Sequence, residues 1–251
     1  MNTRDDERML LMYKVIDQLS LLGVPIVFKG ALVMLKALYD NQNPRNLVRK
    51  SADIDGDWVG EHVPLVAIKG ALETAVKNIN PGMYVVATKD YTESSAARFK
   101  VYYPDGSVAF KIDLSVRRNE FCRTYLSFVN GIKFTGVSET KIMADKISAI
   151  SQRYVMRRQK DIIDIYILSG IAGFVNLDIL NVMKKSGRKL GDFEDFLNRY
   201  PELSKTYENF EGLNYKPEYS LIYGTVKKFV EPFIIKETKS LKWDGCSWRY
   251  I

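Results

Sequence analysis

One histidine and two cysteines are all that this chain of 251 residues offers for imidazole or thiol chemistry. So small a set excludes a structural zinc site built from Cys and His. Cys122 and Cys246 have no Cys-x-x-Cys spacing and read as reduced intracellular thiols. His62 follows Gly60-Glu61 ahead of an apolar periodic run and reads as a surface or capping residue. No Gly-x-Ser-x-Gly elbow accompanies it, which removes a Ser-His-Asp hydrolase. Acid–base work falls to carboxylates, lysines or metal-bound water. Long apolar runs are missing as well. The longest, near residues 24–28 and 162–171, are short or broken by charge, whereas a bilayer span needs about 20 residues. The N-terminal Met1-Asn-Thr-Arg-Asp-Asp-Glu-Arg8 is charged with no apolar stretch behind it, so no secretion or membrane partner is expected and the cytoplasm is the expected location. Internal repeats and low-complexity segments are also absent.

What is present is ordinary for a globular protein: 46% hydrophobic and 27% charged residues, enough for one large domain or two modest ones. The net charge of +7, with a pI near 9.2, suits a polyanionic partner such as nucleic acid or a triphosphate. A solvated basic surface accounts for it equally well.

Hydrophobic periodicity predicts an N-terminal helix over 4–22, a short strand over 24–28 and a second helix over 31–39. After a polar loop over 40–50, Ser51 to Val59 alternates in the manner of a strand. A helix over 63–78 and strands over 84–88, 97–103, 108–116 and 131–137 complete the first half. Tyr103-Pro-Asp-Gly106 marks a hairpin turn. From Ser138 the pattern turns helical, over 138–157, 160–171, 176–186, 191–198 and 218–236. The expected fold class is α+β: a small mixed sheet flanked by helices over 1–137, then an all-helical region over 138–251. The aromatic, basic tail from Lys242 onward is left open, packed on the body or offered to a partner.

The segment Arg49-Lys-Ser-Ala-Asp-Ile-Asp-Gly-Asp57 carries the first chemical signal. On a strand, Ser51, Asp53, Asp55 and Asp57 share one face. Carboxylates so spaced repel unless a cation lies between them, and hard divalent ions take carboxylate oxygens. A solvated acidic edge is the alternative. The second signal is Phe110-Lys-Ile-Asp-Leu-Ser-Val116, where Asp113 sits among core-forming neighbours. A carboxylate there is costly unless liganded or paired. If the two strands are neighbours, Asp53, Asp55 and Asp113 converge at one end of a sheet and can hold two metal ions. Upstream, the Lys29-Gly30 turn ends a strand and opens a helix, where backbone N–H groups can meet a phosphate.

The order of a Lys-Gly turn, Arg-x-Ser-x-Asp-Ile-Asp and a later Ile-Asp-Leu strand resembles the DNA polymerase β-like nucleotidyltransferase superfamily. More narrowly it resembles the AbiEii/AbiGii toxins of abortive-infection and type IV toxin–antitoxin systems. Ala144-Asp-Lys-Ile-Ser-Ala-Ile150, Arg153 and Lys160-Asp-Ile-Ile-Asp-Ile-Tyr166 are similar to that family's Lys/Arg/Asp signature, so the resemblance covers about residues 24–170. It implies a polymerase β-like core and a metal-dependent nucleotidyltransferase using Mg²⁺ or Mn²⁺, with Asp53, Asp55 and Asp113 as ligands. It further implies a catalytic role for Lys146 and for Asp161 or Asp164, and contacts from Lys29, Gly30, Ser51 and Arg153 to a nucleoside triphosphate. The implied acceptor is RNA, tRNA in particular, and the implied partner is a cognate antitoxin. A protein or small-molecule acceptor, or a non-catalytic nucleotide-binding module, are the alternatives. Three departures stand out: Ala31 follows Gly30 where a serine or glycine is usual, Lys160 replaces an arginine, and Asp57 extends the acidic row.

Overall fold

The computed structural model describes residues 3–42, 44–59, 65–88, 96–116 and 119–251; His62 lies outside them. Contacts divide the chain into two compact units, Met1–Lys36 with Lys50–Val137, and Ala37–Arg49 with Ser138–Ile251. The single cut expected after residue 137 therefore misplaces Ala37–Arg49. The reason is backbone pairing that the loop reading of 40–50 had no means of seeing. Val48 N–H donates to Asn214 Oδ1 at 2.8 Å, Asn214 N–H donates to Val48 O at 3.1 Å, and Arg49 bridges Leu213. The Tyr215 hydroxyl closes the same region on Arg45 O at 2.8 Å.

The first unit is organised by a seven-stranded mixed sheet of β1 (Ile26–Lys29), β2 (Asp53–Trp58), β3 (Tyr84–Ala87), β4 (Ala96–Tyr102), β5 (Val108–Val116), β6 (Cys122–Leu126) and β7 (Lys133–Val137). Its order is β3-β4-β5-β2-β1-β7-β6, antiparallel except where β2 meets β5 and β1 meets β7. The Tyr103–Gly106 turn closes as expected, with Gly106 N–H on Tyr103 O at 3.0 Å and Gly106 at φ +81°. Helices α1 (Thr3–Leu21) and α3 (Leu65–Ile79) bury Met12, Ile16, Leu19, Leu72 and Val76. The sheet contributes Ile54, Phe99, Phe110 and Ile112 to the same core. Helix α2 (Gly30–Asp40) starts directly from β1. Strand β6 escapes the sequence reading because only Tyr125 in it is buried, so this edge strand shows little alternation.

The second unit holds α4 (Glu139–Ile150), α5 (Gln159–Leu168), α6 (Asn176–Lys185), α7 (Glu194–Asn198), α8 (Tyr200–Glu208) and α9 (Tyr219–Ile234). Ser138 caps α4, its hydroxyl accepting from Lys141 N–H at 3.3 Å. The helix stops at Ile150 rather than running to 157, because the chain turns at Ser151 and Tyr154 takes a left-handed conformation. Pro201, which reads as punctuation in the sequence, lies in the first turn of α8, where its missing N–H is not needed. The unit is not all-helical. The tail forms a hairpin, β8 (Leu241–Trp243) and β9 (Trp248–Tyr250), too short to announce itself by period. It packs on the body of this unit: Trp243 is fully buried and its indole N–H donates to Ser169 O at 2.6 Å, while Trp248 donates to Phe229 O at 2.9 Å. No helix among the described residues is long and apolar enough to cross a membrane.

Candidate active site

Strands β2 and β5 run parallel and side by side, with Asp55 opposite Asp113 and Asp53 opposite Lys111. Asp55 and Asp113 therefore sit at one level of one sheet face. They line a cleft of about 240 Å³ with Lys29, Arg98 and Ser115. Asp53 lies two residues back along the same face, roughly 6.6 Å of strand rise, and does not line that cleft. Among the described residues no three of His, Cys, Asp and Glu are drawn together closely enough to hold a metal. The expected convergence of three carboxylates is thus met by two of them, with the third offset by strand geometry. The donor chemistry nevertheless fits a hard divalent ion, because all three groups are carboxylates and Asp53 Oδ1 is buried with no hydrogen-bond partner.

The cleft's remaining groups are paired. Arg98, across the β4–β5 ladder from Asp113, donates from Nε to Asp113 Oδ1 at 2.6 Å. Both side chains are well exposed, so this pair contributes little stability. Lys29 reaches Asp57, and also donates to Ser115 Oγ at 2.9 Å. Ser115 in turn donates to Asp57 Oδ1 at 2.6 Å. Asp57 is accordingly a buried, fully partnered end to the acidic row, and Lys29 serves as its counter-ion. Ser51 precedes β2 rather than belonging to it, and its hydroxyl donates to the carbonyl of Asp53 at 3.2 Å.

Gly30 has φ +75°, a conformation that favours glycine. A Cβ placed there would lie 2.2 Å from Asp55 Oδ2. The anionic group lying against the start of α2 is thus the Asp55 carboxylate.

A second cluster is built within the helical unit. Lys146 on α4 donates to Asp161 Oδ1 at 2.6 Å and lies 2.9 Å from Asp164 Oδ2, both on α5. Arg49 grips Asp164 with two nitrogens, Nε at 2.7 Å and Nη2 at 3.2 Å. Burial by itself pushes the Lys146 ammonium toward neutrality, but Asp164 and Asp161 outweigh it and hold the group above its ordinary range. Burial likewise raises the fully buried Asp164, and Lys146 with Arg49 overturns that, leaving its carboxyl below the usual value. An acid so held accepts a proton less readily, and in the structure it pairs with Lys146 and Arg49. Arg49 opens the Arg-x-Ser-x-Asp motif, but nothing local in the sequence marks it as the partner of Asp164. Arg153 is exposed and lines a different cavity of this unit, with Tyr154 and Gly191, because α4 ends before it.

A mixed sheet carrying acidic side chains in register beside a cleft is a nucleotidyltransferase-like fold, and solved structures agree. One from Helicobacter pylori, JHP933, is 18% identical with a TM-score of 0.57, over 95% of this chain and 96% of that one. MenT4, the nucleotidyltransferase toxin Rv2826c of Mycobacterium tuberculosis H37Rv, is 12% identical with a TM-score of 0.53, over 90% and 82%. No curated protein is significantly similar in sequence. Residues 14–236 match the family described as nucleotidyl transferase AbiEii toxin, type IV TA system, and the chain belongs to that family. It is a nucleotidyltransferase of the toxin–antitoxin kind.

Proposed function

We propose that the chain transfers a nucleoside monophosphate from a nucleoside triphosphate to an acceptor hydroxyl on RNA, with tRNA the acceptor to test first. A cognate antitoxin would restrain it. The observation that carries the reading is the in-register pair of Asp55 and Asp113 at the cleft, with the orphaned oxygen of Asp53 on the same face. These three carboxylates would hold Mg²⁺ or Mn²⁺, which would offset triphosphate charge and make the acceptor hydroxyl more acidic. The hydroxyl gives its proton to solvent and its oxygen attacks the α-phosphorus; the bond from that phosphorus to the oxygen bridging to the β-phosphate breaks and pyrophosphate leaves. The protein's own contribution is positioning and electrostatics. Arg98, held beside Asp113, brings a guanidinium to the cleft wall, suited to a phosphate oxygen. Lys29 and Ser115 fix the floor through Asp57. Lys146 stays protonated across physiological pH within its pairing to Asp161 and Asp164.

Total RNA incubated with each α-labelled triphosphate and a divalent cation tests this. Label should enter an RNA species with wild-type protein and vanish with Asp113→Asn at unchanged melting temperature. Undiminished labelling by that variant would sink the assignment.

A further inference from the structure

We propose that the face of the helical unit around Tyr154 is a docking surface for single-stranded RNA, with an unpaired base stacked on the Tyr154 ring and flanking phosphates held by Arg153, Arg157 and Lys189. This deepens the acceptor part of the function proposed above and rests on it for the choice of RNA over DNA.

Tyr154 is 75% exposed, unusual for a large aromatic side chain, and its backbone is held at φ +65°. A left-handed tyrosine is strained and persists only where the surroundings enforce it. Here the Asp195 carboxylate accepts the Tyr154 N–H, so the ring is displayed from a fixed support. Beside it lies a cavity of about 380 Å³ lined by Ser151, Gln152, Arg153, Tyr154, Gly191 and Asp192. One ring among polar groups is a poor centre for a protein interface, which calls for a cluster of buried apolar anchors. It matches what an unpaired base needs: a π-face, hydrogen-bonding groups at its edge and cations along the backbone.

Basic side chains predominate around it, although Asp192 lines the cavity itself. Residues 146–160 and 179–191 together carry nine Lys or Arg and no Asp or Glu. The two segments are stitched together, Ser148 Oγ donating to Lys189 O at 2.8 Å and Gln152 Nε2 to the same carbonyl at 2.9 Å. Gly191 N–H donates to Ser151 Oγ at 2.8 Å, and a Cβ on Gly191 would lie 2.1 Å from Ser151 O, so the close approach requires glycine. Two of the nearby acids are neutralised by cations and others cap backbone N–H groups. Asp192 accepts from Glu194 N–H, Asp195 accepts from Tyr154 N–H, Asp145 pairs with Arg188, and Asp161 with Lys146. Arg153, Arg157 and Lys189 are exposed, and among the described residues no carboxylate pairs with them.

Fluorescence anisotropy with a labelled 12-nucleotide single-stranded RNA, without triphosphate or divalent ion, tests the surface separately from transfer. Tyr154→Ala should weaken binding about 5- to 100-fold, and Tyr154→Trp should retain it with indole fluorescence quenched on binding. The triple variant Arg153→Gln, Arg157→Gln, Lys189→Gln should lower the salt slope by about 2, at roughly 0.7 per phosphate contact. The exposed pair Lys227→Gln, Lys228→Gln on α9 should leave it nearly unchanged. Wild-type affinity in Tyr154→Ala, an unquenched Tyr154→Trp, or duplex RNA competing as well as the single strand would each overturn the proposal. If Asp113→Asn abolishes labelling while Tyr154→Ala binds normally, the transferase reading stands and this surface does not. The opposite pattern preserves the surface and removes the reading.

Discussion

The carboxylate of Asp55 occupies the space that a side chain on residue 30 would require. Only the absence of a Cβ at Gly30, with Asp55 Oδ2 at 2.2 Å from where that atom would be, lets the strand acid and the helix start approach so closely. Gly30→Ala must therefore both strain a backbone at φ +75° and displace Asp55. We expect a loss of about 1–3 kcal/mol in stability and a fall in label transfer of more than tenfold, read by chemical unfolding and by the labelling assay. Gly30→Ala with wild-type transfer would show that Asp55 need not keep this position.

Removing one partner from the buried network on α4 and α5 should cost far more than any surface pair. Asp164 is 1% exposed in its side chain and answers both Lys146 and Arg49. Asp164→Asn leaves Arg49 facing a neutral amide and Lys146 with Asp161 alone, for an expected loss of about 3–5 kcal/mol. Asp161→Asn, at 13% exposure with Asp164 still in place, should cost less. Urea unfolding of the two variants checks the order.

The same network sets a pH window. Asp164 is depressed below 3.8, so its contribution is present above that value and fades as pH falls through the lower folded value. Lys146 is raised above 10.5, so its contribution is complete below that value and fades as pH rises beyond it. The stability gap between wild type and Asp164→Asn should be flat from about pH 5 to 9 and shrink below about pH 4. A gap that widens on acidification contradicts the assigned direction.

Trp243 closes the core of the helical unit from the hairpin, in edge contact with Phe229 at 4.9 Å between ring centroids. Its truncation to alanine opens a cavity and orphans Ser169 O, for an expected loss of about 3–5 kcal/mol. Thermal melting should show it, while Tyr250→Ala, at an exposed position of the same hairpin, should change little.

Legibility differed between elements for physical reasons. Strand β2 and strand β5 were readable because alternation exposes a buried-face pattern, and their acids stood out against apolar neighbours. Their mutual register, Asp55 on Asp113, was not, since nothing local dictates which strands pair. Lys29 enters as a triphosphate contact only through the family resemblance; the groups that pair with it in the structure, Asp57 and Ser115, come from two other strands. Arg49 lay in a loop by composition, and its meaning depends on Asp164, 115 residues away. The Lys146–Asp161–Asp164 cluster was foreseeable from helical spacing and family resemblance together. The length of α4 was not, because Ser151 and the left-handed Tyr154 end it without a glycine or proline.

The pairing of residues 45–49 with 213–215 has a consequence for inheritance. The helical unit takes in a segment that precedes most of the sheet in the chain, so the two units are interleaved rather than consecutive. A single genetic crossover near residue 137 would not transplant the helical half intact, because the donor's Arg49 and Asp164 would be separated from each other. Any chimera has to inherit both pieces, which ties the histories of the two units together.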